Sequence, residues 1–191
     1  MGTTYQCLFV QGSGHGLAMP WVRKARVHVE QHQLEGWTFF LLRRTLDLDD
    51  LDELAARTAT RAPLVFAEYE EDSDYAYCAG ASDGRIDFRV LFNHHLAGGY
   101  ARGAWALERC GELAESSNRL LGWERETAEQ IEVWASRMSR AATTKQILAL
   151  IKDRWAEPSD ATRQLRQYLG IPNFDYDWLW LKDRRRYPTS G

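Results

Sequence analysis

The hydrophobic pattern of the chain changes rhythm once. Up to Phe92 the apolar residues stand in short runs or alternate with polar ones, and beyond Asn93 they recur every three or four positions. Tyr5–Val10 is a short apolar run that predicts a strand, stopped by the glycine-rich stretch Gly12–Gly16. Trp21–Val29 is looser, but Val27 and Val29 alternate with Arg26, His28 and Glu30, as in a strand with one wet face. After Gly36, Trp37–Leu42 is β-branched or aromatic and too short for an isolated helix, which predicts a central strand. Leu51, Leu54, Ala55 and Thr58 then fall on one helical face, with Asp47, Asp49 and Asp50 in place to cap it, predicting a helix over Asp50–Ala59. Pro63 opens a strand from Leu64 that runs into the acidic stretch Glu70–Asp74 and returns as Tyr75–Cys78, a hairpin. Ser82-Asp83-Gly84 predicts a second tight turn, followed by a strand in which Ile86, Phe88, Val90 and Phe92 share one face.

From Asn93, read as an N-cap, Leu96, Tyr100, Ala104, Leu107, Cys110 and Ala114 form a helical stripe, with Gly99 and Gly103 one turn apart. Past Gly122 a further helix carries Ala128, Ile131, Trp134, Ala135 and Met138. Thr143 and Gln146 have the spacing of a capping box, opening a helix through Trp155 that buries Ile147, Leu148 and Ile151. Pro158 and Ser159 open the last helix, which Gly170 and Pro172 end. The order predicts an α+β fold: a mostly antiparallel N-terminal sheet with one short helix, followed by a C-terminal helical half packed on one face of it. Residues 1–172 form one domain, β-rich over 1–92 and helical over 93–172, because neither half alone has an adequate core and no linker composition marks the junction. Residues 173–191 are a separate aromatic and basic tail.

Composition adds bounds. With 191 residues, 45% hydrophobic and 27% charged, the chain is of ordinary globular type. No apolar run is long enough to span a bilayer and the first residues lack a signal-peptide pattern, so the expectation is a cytoplasmic protein with no membrane segment. Cys7, Cys78 and Cys110 are three and widely spaced, which supports buried thiols rather than disulfides or a metal knuckle. A net charge of −3 argues against nucleic acid as a partner, although the sign is uneven: residues 1–92 hold 9 basic against 14 acidic side chains, and residues 93–191 hold 15 against 13.

No stretch carries a complete chemical motif. Gly12–Gly16 follows a strand, but it lacks the lysine of a P-loop and the spacing of a dinucleotide fingerprint, and a plain loop is the reading. His28, Glu30 and His32 share strand parity, yet the outer two are too far apart to share an ion, so a solvated strand face is expected and no metal site. His94 and His95 open a helix just beyond a strand end, where an anion or a neutral imidazole is favoured, but no nucleophile or carboxylate is fixed beside them. Glu68, Glu70, Glu71, Asp72 and Asp74 match a cation loop in charge alone, and a solvated hairpin tip is expected.

The tail is different. Between Asn173 and Tyr187 it holds five aromatic residues and the three consecutive arginines Arg184, Arg185 and Arg186, residue types enriched in binding hot spots. The sequence therefore points to a non-enzymatic interaction factor (an adaptor, inhibitor or immunity-type protein) that binds another protein through Tyr176, Trp178, Trp180 and Arg184–Arg186, and it implies no cofactor. The alternative is a small enzyme or small-molecule binder with a pocket between sheet and helices, using His94 and His95, with His28 or Arg89.

Overall fold

A computed structural model describes residues 4–12, 29–42, 46–71, 75–93, 120–138, 142–153 and 155–173. Among these residues six strands form one sheet: β1 (Thr4–Gln11), β2 (Val29–Leu34), β3 (Trp37–Leu42), β4 (Val65–Glu71), β5 (Tyr75–Ser82) and β6 (Arg85–Phe92). The spatial order is β2-β3-β1-β4-β5-β6, with every neighbouring pair antiparallel. The helices are α1 (Leu48–Thr58), α2 (Leu120–Ser136), α3 (Thr144–Lys152) and α4 (Pro158–Leu169). The α+β class, the sheet-first order and the later helical half are as the sequence predicts.

Helices cover both faces of the sheet, not one. Every side chain of β3 and of β5 is buried, so no face of either strand was available to face water. One face carries Cys7, Phe9, Phe39, Phe66, Cys78, Phe88 and Val90, packed against α2, α3 and α4 through residues such as Ile131, Trp134, Ile147 and Leu165. Its aromatic centre is Trp134, which meets Phe88 edge-on at 5.5 Å between ring centroids and Phe66 at 6.4 Å. The other face carries Leu8, Val10, Phe40, Val65, Ala67, Tyr69, Tyr77 and Leu91 against Leu48, Leu51, Leu54 and Ala55 of α1.

Local signals account for most boundaries. The β5–β6 hairpin turns on Asp83 and Gly84, both left-handed with φ of 51° and 78°, the pair of conformations that a two-residue hairpin requires. α3 starts on the predicted capping box: the Gln146 N–H donates to Thr143 Oγ1 and the Thr143 N–H to Gln146 Oε1. It ends at Lys152, short of the expected Trp155. α4 begins with Pro158 and stops at Gly170, which is left-handed. Asp47 stands at the α1 N-cap but makes no side-chain cap bond.

Three readings are corrected. β2 runs on through Leu34, a polar stretch that the hydrophobic pattern passes over because it is the outermost strand of the sheet; the strand expected over Trp21–Val29 lies outside the described residues except for Val29. Ile86 does not share a face with Phe88, because an irregularity at Gly80/Ala81 pairs Gly80 with Phe88 but Ala81 with Ile86, leaving Asp87 as an extra residue that reverses parity. Ile86 accordingly packs on the α1 side. Asn93, read as an N-cap, is left-handed with φ of 53°. Its side-chain amide donates to the Trp155 carbonyl at 2.7 Å and accepts from the Trp155 N–H at 3.2 Å, tying the end of β6 to the α3–α4 connection. The rest of the helix expected after it lies outside the described residues.

Gly80 is fixed by its neighbour rather than by its backbone angles, since a Cβ there would overlap the Phe88 ring. Gly80→Ala is expected to cost about 1–3 kcal/mol by overpacking. Combined with Phe88→Ala, which opens the space, the same substitution is expected to add little further loss. Urea denaturation of the two single variants and the double variant checks this.

Candidate functional site: a buried carboxyl pair and an edge cleft

Tyr176, Trp178, Trp180, Arg184, Arg185 and Arg186 lie outside the described residues, as do His94, His95, His28 and Cys110. Of the expected strand-face set, His32 is half-buried on β2, with its ring 6.1 Å from that of Phe39. Gly12 donates its N–H to the Gly36 carbonyl at 2.8 Å, and the remainder of the glycine loop is outside the described residues. Among the described residues no group of three or more His, Cys, Asp or Glu side chains is placed to hold a metal ion.

The expectation of a solvated acidic hairpin fails for Glu68 and Glu70. Both project from β4 onto the helical side and are buried, at 1% and 6% exposure. The reason is α4, whose inward stripe of Pro158, Ala161, Leu165 and Leu169 also includes Thr162 and Arg166, one turn apart. Arg166, 1% exposed, places a terminal nitrogen 3.3 Å from Glu68 and lies over the Phe9 ring at 5.1 Å. Thr162 donates its hydroxyl to Glu70 at 2.7 Å.

Cys7 and Cys78 stand opposite Glu68 on the two strands that flank β4, so a thiol–carboxylate–thiol row crosses the sheet beneath α4. Two strand spacings, about 10 Å, separate the thiols and forbid a disulfide between them; both are buried thiols, as expected. Burial, reinforced by the charges of Glu68 and Glu70, pushes the Cys78 thiol well above its ordinary range, which makes it inert as a nucleophile. Burial first, and then the adjoining Glu68 carboxyl, pushes Glu70 up to about 8, so it retains its proton at neutral pH.

A second polar group lies on the opposite face. Asp52 of α1 accepts from the Tyr77 hydroxyl at 2.5 Å and from Arg89 Nε at 2.5 Å. Burial raises the Asp52 carboxyl against the pull of these two partners, and burial with the Asp52 charge raises the Tyr77 hydroxyl. Between β6 and α2 opens a cleft of about 210 Å³, lined by Asp87, Arg89, Trp123, Glu126, Thr127 and Gln130 among others. Asp87 at its rim accepts a hydrogen bond from Ser82 and lies 3.7 Å from Arg137, which itself donates to Ser82 and anchors the end of α2 on the β5–β6 turn.

Sequence reasoning misplaced Glu68 and Glu70 as solvated and missed Arg166 and Asp52. A signal existed for the first three: Glu68 and Glu70 share parity with Phe66, and Arg166 interrupts an otherwise apolar helical stripe. No protein-family model matches the chain, and no curated protein or solved structure matches it.

Removing one member of the buried pair is expected to be costly. Arg166→Met leaves Glu68 without its guanidinium and is expected to lower stability by about 3–5 kcal/mol at neutral pH. Arg166→Met with Glu68→Leu is expected to recover most of that loss, and a double-mutant cycle followed by chemical denaturation reads the difference.

Proposed function

We propose that the protein is a non-enzymatic interaction factor that binds another protein through its C-terminal aromatic and arginine segment, Tyr176, Trp178, Trp180 and Arg184–Arg186. The observation that carries this reading is the use made of the interior charges. Asp52, Glu68, Glu70, Glu124 and Arg166 are buried, and each is bonded or ion-paired across a boundary between elements: Asp52 to β5 and β6, Glu68 and Glu70 to α4, and Glu124 to Lys152 of α3 at 3.7 Å. Polar groups spent on joining layers build a rigid platform, and recognition then falls to surface side chains. The β6–α2 cleft fits the same reading. At about 210 Å³ it is smaller than the roughly 300–1,000 Å³ typical of small-molecule sites and has room for about one partner side chain.

Affinity capture with the wild-type chain and with the full-length Arg184→Ala/Arg185→Ala/Arg186→Ala variant tests the proposal. A partner retained by the former and lost by the latter, with melting temperatures equal, is the expected result; equal recovery by both removes the tail from the binding surface.

The position of the cleft, between the sheet and a helix and beside Arg89, supports a second reading as a small-molecule binder that would draw on His94 and His95 just past β6. A thermal-shift screen with nucleotides, metal ions and metabolites separates the two. A ligand that raises the melting temperature by several degrees, and loses that effect in His94→Gln/His95→Gln, selects the second.

A further inference from the structure

We draw no further inference here: the strongest candidate, the cleft of about 210 Å³ between β6 and α2, belongs to the site already described, and nothing in the structure shows what covers it.

Discussion

Covering both faces of an antiparallel sheet is the constraint on which the architecture rests. β3 and β5 have no polar face, and their neighbours β1 and β4 are apolar or inwardly charged on both sides, so either surface left open would expose a continuous apolar patch. α1 covers the side of Leu8, Ala67 and Tyr77, and α2–α4 cover the side of Phe9, Phe66 and Phe88. Among the described residues α1 is the helix on the first side, where β5 contributes Ala79 and Ala81, small residues that let it approach closely. The second side carries Phe9, Phe39, Phe66 and Phe88, which α2–α4 meet with Trp123 and Trp134 among other residues.

Apolar burial does not by itself fix where each helix docks, and the buried polar groups supply that register. Four clamps do it with different chemistry. Gln6 donates to the Leu46 carbonyl at 2.6 Å and accepts from its N–H at 2.7 Å, which sets the entry to α1 from the central strand. Asn93 makes the equivalent two-way bond to Trp155, and thereby sets the connection into α4. Asp52 then fastens the body of α1 through Tyr77 and Arg89, and Arg166 with Thr162 fastens α4 through Glu68 and Glu70. An amide that mimics a backbone strand pairs with only one peptide unit, and a buried carboxylate tolerates only a position beside its donor. These groups therefore penalise sliding of the helices more than they add to net stability.

Much of this was legible in the residues. Strand and helix assignments followed from period, the capping box from Thr143 and Gln146, and the left-handed turn from Asp83-Gly84, because each depends on positions adjacent in the chain. The features that escaped depend on contacts between distant positions. Glu68 and Glu70 read as part of an acidic hairpin because their burial is decided by Arg166, nearly a hundred residues later. Ile86 read as facing with Phe88 because the parity reversal arises in the pairing of β6 with β5, not in β6 itself. Asn93 had the composition of a cap, and its partner is the Trp155 backbone. The tail was legible as an aromatic and arginine cluster, but composition carries no information on what such a cluster touches.

The two ionic groups, one on each face of the sheet, differ in a way that bears on which helix can move. Asp52 meets two donors, a tyrosine hydroxyl and an arginine that is one-third exposed, so a single negative charge is balanced by a cation that keeps contact with water. Burial nonetheless raises the Asp52 carboxyl against the pull of both donors. Under α4 the cation is sealed instead: Arg166 and Glu68 are both 1% exposed, so this pair lacks the contact with water that Arg89 keeps. A sheet held this way is asymmetric. The α1 face is anchored by an ion pair whose cation touches water, whereas the α4 face is anchored by one buried on both sides.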